Sequence, residues 1–104
     1  MRCTWLIQLQ AYLGDKLDLA GSDEAEKYWI HSLALTVLDL NNEVHDTHHP
    51  ISSQKYYEDQ KEEALLKAKD FREARIPKFF GFFERVLKGN TAGKGKYLVG
   101  NKLR

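Results

Sequence analysis

Apolar side chains recur at helical spacing through the middle of the chain, and this pattern limits the possible folds more than any other feature. They follow one another at steps of four, four, three and four, at Trp29, Leu33, Val37, Leu40 and Val44. A second apolar stripe lies beside the first, at Ile30, Ala34 and Leu38. An apolar arc of this width is typical of an α-helix that is buried on more than one side, against its own core and something further, although both stripes could also be intradomain core. The pattern predicts a helix over residues 23–45.

The start of this helix and a second long helix can also be read from the sequence. Ser22 offers a capping side chain, and the acids that follow it in the first turn oppose the helix dipole. Residues 52–88 are rich in Glu, Lys, Ala and Leu, which favour helix. Pro77 interrupts this second stretch, and we expect a kink or a break there because proline lacks a backbone donor and clashes with the preceding turn. We therefore predict an all-α fold, a helical bundle with two long helices, the second kinked at Pro77.

Shorter segments flank the two long helices. Residues 5–13 form a short apolar run typical of the tail of a helix, with Gly14 as its stop, and residues 17–21 form a linker-like turn. The phenylalanine-rich residues 79–87 are expected to be well buried. Residues 89–95 are expected to form a flexible polar loop, followed by a compact apolar hook at residues 97–100.

Composition and charge exclude several classes of protein. The chain has 104 residues, 42% of them hydrophobic and 30% charged, which indicates one soluble globular domain. Sixteen bases against 15 acids argue against a nucleic-acid binder or an acidic-membrane binder, and no apolar run approaches the length of a membrane span. Cys3 is the only cysteine, so we expect no disulfide and a cytoplasmic location.

The charges are distributed unevenly along the chain. Residues 15–51 carry eight acids and two bases, whereas residues 76–104 carry seven bases and one acid, Glu84. These ends could pair within the fold or between subunits, although solvated faces are the simpler interpretation.

Three of the four histidines lie together, at His45, His48 and His49. His45 is spaced from the other two as i, i+3 and i, i+4, and imidazole and carboxylate suit zinc or nickel. No HExxH pattern or cysteine pair completes a metal site, however. We therefore predict no metal site and favour histidines that complement the helix end or line a groove.

Several motifs occur together in one order along about 90 of the 104 residues. They are Tyr12-Leu13-Gly14, Leu19-Ala20-Gly21, Ile76-Pro77-Lys78-Phe79-Phe80, Phe83-Glu84-Arg85-Val86-Leu87 and Tyr97-Leu98-Val99-Gly100-Asn101-Lys102-Leu103. As a set they resemble a cytosolic glutathione S-transferase, closest in character to the sigma, alpha and pi group, and the histidine-rich segment at residues 45–50 resembles a fungal member.

The resemblance implies a division of the chain into two parts. In this family a thioredoxin-like N-terminal domain binds glutathione and activates its thiol, while an all-helical C-terminal domain completes the electrophile site and much of the dimer contact. Residues 1–21 would be the remnant of the last N-domain helix and the linker, and residues 22–104 a partial C-terminal domain. Asn41 and His45 would border the pocket for the hydrophobic electrophile, with no catalytic or metal-binding residue in the chain. A plain polar helix end is the competing interpretation of these two positions.

Departures from the family pattern lead us to expect a truncated transferase. Trp5 and Leu6 replace a Gln-Ser pair that would bind the γ-glutamyl carboxylate, and Leu35 stands near the place of an acid that would reach the neighbouring subunit's glutathione. Arg104 replaces the Ser or Thr of the next capping box.

Two functions follow as hypotheses. In the first, the chain is a truncated glutathione S-transferase whose relatives detoxify electrophiles with glutathione as co-substrate, and it is inactive alone and holds no cofactor. In the second, it is a non-catalytic helical interaction module. A homodimer or a helical partner would then contact the apolar face of residues 23–45.

Overall fold

The part of the chain that the structure describes consists of helices and connecting turns, with no β-strand. This structure is a computed structural model that describes residues 4–104, so the expectations drawn from Cys3 and from the start of the predicted N-terminal remnant lie outside the described residues. The helices are α1 (Thr4–Lys16), α2 (Glu24–His48), α3 (Lys61–Asp70) and α4 (Ile76–Gly89), with a π-helical turn, Phe71–Arg75, joining α3 to α4. Short 3-10 turns occupy Tyr57–Gln60 and Thr91–Gly93. The predicted all-α fold is confirmed.

The described residues group into two compact units. Unit 1 contains residues 4–38 and 83–104, and unit 2 contains residues 39–82. Helices α2 and α4 each contribute residues to both units.

A side-chain cap starts α2 at Asp23, one residue after the capping position that the sequence predicts at Ser22. The Asp23 carboxylate accepts a hydrogen bond from the Glu26 backbone N–H at 2.8 Å, and the Glu26 carboxylate accepts one from the Ser22 N–H at 2.7 Å. This reciprocal pattern resembles a capping box, which satisfies backbone donors that the first turn leaves without partners. Helix α2 continues to His48, one turn beyond the predicted end at residue 45.

Helix α1 ends two residues later than the sequence predicts. Gly14 lies inside the helix, and the residue in the left-handed conformation is Asp18, with φ of 57°. The Leu19 N–H donates to the Gly14 carbonyl at 2.8 Å, the six-to-one bond of a Schellman motif. The predicted stop at Gly14 is wrong, because an aspartate rather than a glycine adopts the terminating conformation.

The second long helix begins later than predicted. Residues 50–56 form turns and bends, a 3-10 turn follows, and regular α-helix begins only at Lys61. The predicted start at residue 52 is therefore wrong, and the physical reason is a buried glutamine, described below, whose side chain binds the backbone of this segment.

Pro77 distorts the second helix without breaking it. Helical backbone is continuous through Pro77, and the distortion is the π-helical turn just before it, in which the Ile76 N–H bonds to the Phe71 carbonyl five residues earlier. A π-helical turn inserts one extra residue into the helix. The carbonyl of Glu73, with which the proline ring would clash in a regular α-helix, belongs to this turn.

Few apolar side chains are buried. In unit 1 they are Leu33 and Val99, and in unit 2 they are Ala64, Phe71 and Phe79. Of the first apolar stripe on α2, only Leu33 is buried; Val37 is 50% exposed. Phe80 is 62% exposed, so the expectation of a well-buried phenylalanine segment holds for Phe79 and fails for Phe80.

Asn90 organises the segment after α4. Its side-chain amide donates to the carbonyls of Tyr97 at 2.8 Å and Gly100 at 2.9 Å. Gly93 packs so closely on this amide that an added Cβ would lie 2.6 Å from it. The loop expected to be flexible is thus tied to the apolar hook that follows it.

Candidate functional site

The two residues that the family resemblance singles out lie on one face of α2. Asn41 is exposed and His45, four residues later, is half-buried. The His45 Nδ1 lies 3.3 Å from Asp46 Oδ1, and its ring stacks on that of His49 with ring centroids 4.9 Å apart. The predicted contact of Asn41 and His45 with a hydrophobic substrate stays a prediction.

The three clustered histidines divide into a pair and a separate residue. His45 and His49 form the stacked pair, with an angle of 25° between their planes. The His49 Nδ1 lies 3.2 Å from the Lys55 carbonyl, which can only accept. His48 instead lies beside Tyr57, with ring centroids 5.7 Å apart, and its Nδ1 is 3.0 Å from the Thr47 hydroxyl. Residues 4–104 contain no group of three or more metal-ligating side chains placed to share an ion.

Gln60 anchors the segment between α2 and α3. Its side chain is fully buried, and its Oε1 accepts hydrogen bonds from the backbone N–H groups of Ile51 at 2.9 Å and Ser52 at 3.3 Å. Its Nε2 donates to the carbonyls of Ser52 at 3.0 Å and Lys55 at 3.1 Å. Sequence reasoning missed this residue, because a glutamine inside a charged run is normally solvated.

A two-pronged ion pair joins α2 to the π-helical turn within unit 2. Arg75 donates through Nε to Glu43 Oε2 at 2.8 Å and through Nη2 to Glu43 Oε1 at 2.7 Å. These hydrogen bonds lower the pKa of Glu43, although partial burial opposes the shift, and they raise the pKa of Arg75. The Arg75 guanidinium also lies over the Phe79 ring, 5.5 Å from its centroid. This arrangement fixes the local structure of unit 2.

Ion pairs in unit 1 join residues of the acidic segment 15–51 to residues of the basic segment 76–104. Lys102 lies 2.6 Å from Asp18, which lowers the pKa of that carboxyl group. Arg104 pairs with Glu26 at 3.2 Å and also donates to the Ser22 hydroxyl, and its side chain is only 6% exposed. The acidic and basic ends therefore pair within this unit, at least at these positions, and are not only solvated faces.

An open apolar groove runs between α1 and α2 in unit 1. Its volume is about 480 Å³, and its apolar lining includes Leu6, Leu9, Leu13, Ile30 and Ala34. Several side chains of α1 are exposed as well, including Trp5 at 61% and Tyr12 at 59%. Sequence reasoning identified these residues only as the tail of a helix and did not predict a groove.

Comparison with known proteins identifies the family to which the chain belongs. A family model described as glutathione S-transferase, C-terminal domain, matches residues 45–103. Among curated proteins, none matches the chain. None of the helices in residues 4–104 is both long enough and apolar enough to cross a membrane. Because the family match covers more than half of the sequence and the described residues are all-helical, the chain belongs to the glutathione S-transferase family, through its C-terminal domain.

Proposed function

We propose that this chain is the helical half of a glutathione-transferase-like protein. It works by packing the apolar surface of α1 and α2 against a glutathione-binding domain and does not conjugate glutathione alone. The observation that carries the proposal is the groove between α1 and α2, together with the apolar side chains of α1 that lie exposed beside it. Contiguous apolar surface of this kind is typical of an interaction site.

The family's division of labour supports the absence of activity in this half. Activating a thiol requires a hydrogen-bond donor or positive charge placed at the thiolate. The resemblance assigns that donor to the thioredoxin-like domain, whereas the family match is to the C-terminal domain. We also propose the sigma, alpha or pi character and the cytoplasmic location on the resemblance and on the single cysteine.

An activity assay tests the first part of the proposal. The purified chain is incubated with glutathione and a chlorodinitrobenzene-type substrate, and we expect no turnover above the uncatalysed rate. Saturable turnover that depends on the chain would overturn the proposal.

A reconstitution experiment tests the packing. The chain is mixed with the isolated N-terminal domain of a glutathione transferase of the sigma, alpha or pi group from which the last helix has been removed, because residues 1–21 would take its place. Complex formation is followed by size-exclusion chromatography with light scattering. We expect a complex that Leu9→Asp and Leu13→Asp weaken at least tenfold, because each places a charge in the groove. Gln8→Asp, on an exposed polar position of the same helix, is the matched control and should have no effect. Equal loss in the control, or no complex with any of these domains, contradicts the proposal.

A second candidate function is a self-associating helical module. Exposed apolar side chains on α2 favour it, among them Trp29 at 42% and Val37 at 50%. Light scattering of the chain alone should then give a dimer that Val37→Asp converts to a monomer. A monomer at all concentrations would eliminate this candidate.

The roles of Asn41 and His45 follow from the resemblance. We propose that both contact a hydrophobic electrophile and take no part in the chemistry. In a reconstituted enzyme, Asn41→Ala should raise KM for the electrophile severalfold with little change in KM for glutathione. Unchanged kinetics for both substrates would remove this assignment.

A further inference from the structure

Helix α3 carries two exposed leucines between opposite charges. Four exposed residues form this surface, the α3 face: Glu62, Leu65, Leu66 and Lys69. We propose that the α3 face pairs with the same face of a second copy of the chain, in an antiparallel, two-fold arrangement. The α3 face lies in unit 2 and shares no residue with the surface of α1 and α2 on which the proposed function rests, so the two proposals can fail separately.

The spacing of the four residues places them on one side of the helix. They follow one another at steps of three, one and three, and residues three or four apart are neighbours on a helix surface. Ala64, the buried residue of α3, is about 150° around the helix from the middle of the α3 face. The α3 face therefore points away from the core of unit 2, and Leu65 and Leu66 are 57% and 71% exposed.

The order of charges along the α3 face is self-complementary. Glu62 lies near the N-terminal end of α3, Lys69 lies near the C-terminal end, and the two leucines are midway between them. At the rise of an α-helix, each charged residue is about 5 Å along the axis from this midpoint. Two antiparallel copies therefore place each Glu62 opposite the partner's Lys69, while the leucines cover one another at the centre. A patch that meets itself in this way is the usual contact of a two-fold dimer.

Both charges of the α3 face lack an ion pair within the chain. Glu62 and Lys69 form none within residues 4–104, whereas Glu43 and Arg75 of the same unit are paired with each other. A parallel arrangement of two copies would place like charges opposite one another, which is unfavourable. The charges thus select the antiparallel orientation.

The size of the α3 face sets the strength of the association. Helix α3 has 10 residues, and two helices of this length bury less than about 1,200 Å² in total, which is the range of transient contacts. Burial of the leucine side chains supplies the attraction, and exposed ion pairs contribute orientation more than affinity. The expected dimer is therefore weak and forms reversibly at high concentrations of the chain.

Sedimentation velocity on the full chain tests the pairing, at concentrations up to about 0.5 mM because the contact is small. We expect a reversible monomer–dimer equilibrium that Leu66→Asp weakens at least tenfold. Glu62→Lys and Lys69→Glu should each weaken it at least fivefold, because each replaces two attractive pairs by two repulsive ones. Glu63→Lys is the matched control: it makes the same change of charge at an exposed glutamate outside the α3 face, and it should change the dissociation constant less than threefold.

Reversing both charges gives a readout that loss of folding cannot imitate. The double variant Glu62→Lys/Lys69→Glu restores opposite charges across an antiparallel contact, so it should dimerise within threefold of the unmodified chain. The proposal is overturned if the chain stays monomeric over this range, if Glu63→Lys weakens the dimer as much as Glu62→Lys, or if the double variant stays as weak as the single ones. Self-association that Val37→Asp abolishes and Leu66→Asp leaves intact would locate the contact on α2 and would equally overturn it.

Discussion

At the scale of single residues, the Gln60 side chain supplies hydrogen bonds to backbone groups that a helix or sheet would otherwise satisfy. Its amide satisfies backbone donors and acceptors of residues 51–55, which have no helix or sheet to pair with. Leaving such buried groups without partners is costly, so the segment depends on this one side chain. This dependence explains why the helix predicted to begin at residue 52 begins only at Lys61.

Replacing Gln60 should be strongly destabilising. Gln60→Leu keeps the size of the side chain and removes all its hydrogen bonds, and we expect the free energy of unfolding to fall by about 2 to 4 kcal/mol. Urea unfolding measures the loss, and hydrogen exchange should accelerate at the Ile51 amide. Gln54→Leu, at an exposed glutamine of the same segment, should change stability by about 0.5 kcal/mol or less. Equal effects of the two substitutions would show that the hydrogen bonds of Gln60 contribute nothing to the free energy of unfolding.

The ion pair between Glu43 and Arg75 predicts a pH dependence of stability. The pKa of Glu43 is lowered in the folded chain, chiefly by its hydrogen bonds to Arg75, and is ordinary in the unfolded chain, at about 4.3. The unfolded state therefore binds more protons in the acid range. The contribution of the pair is complete above the ordinary pKa and is lost as the pH falls through the lowered one.

Glu43→Gln should flatten this part of the pH profile. We expect a loss of stability at pH 7 and a smaller further loss between about pH 5 and pH 3, because the titrating carboxylate is gone. Unfolding in urea at a series of pH values measures both effects. Glu58→Gln, at an exposed glutamate, serves as the control and should leave the profile unchanged. An unchanged profile in Glu43→Gln would mean that solvent screens the pair completely.

At the scale of elements, the π-helical turn aligns the buried face of the second helix. Ala64 and Phe71 are seven residues apart, whereas Phe71 and Phe79 are eight apart, a step that would rotate Phe79 off the face in a regular α-helix. The extra residue of the π-helical turn, Phe71–Arg75, absorbs the difference, so that all three side chains are buried. The burial of Phe71 and Phe79 and the presence of Pro77 therefore both favour the π-helical turn.

Deleting one residue tests this alignment. In a Pro77→Ala background, removal of the exposed Ala74 should leave a regular helix with Phe71 and Phe79 on one face, at a cost of about 1 kcal/mol or less. Removal of the exposed Lys69 in the same background rotates Ala64 by about 100° relative to Phe71 and should cost about 3 to 5 kcal/mol. Urea unfolding compares the two deletions. Similar losses for both would show that the π-helical turn has no role in aligning the buried face.

At the scale of the whole molecule, stability rests on few buried side chains. Five apolar residues are buried among the described residues, while Trp5, Tyr12 and Val37 are each at least half exposed. Burial of apolar surface is the main favourable term in folding. The chain alone should accordingly be marginally stable, and a partner that covers α1 and α2 should stabilise it.

Leu33 offers a test of this marginal stability. We expect the chain to unfold in urea with a free energy of about 5 kcal/mol or less. Leu33→Ala, at 5% exposure, should cost about 2 to 5 kcal/mol and leave a measurable unfolded fraction without urea. Leu66→Ala, at 71% exposure, should cost about 0.5 kcal/mol or less. A small effect at Leu33 would show that residues outside this core hold the chain together.

The sequence by itself determined the all-helical architecture, the start of α2 and the family. These features depend on local order along the chain: the spacing of apolar residues, a capping residue followed by acids at residues 22–26, and motifs in a fixed succession. The end of α1 at Lys16 with Asp18 in the left-handed conformation, the buried Gln60 and the stacking of His45 on His49 were decided only by the tertiary structure. Each depends on contacts between separate segments or on the competition between neighbouring side chains, and the hydrophobic pattern does not encode either. The exposure of Trp29, Val37 and Val44 in the first apolar stripe has the same origin, because a helical face is buried only where another surface covers it.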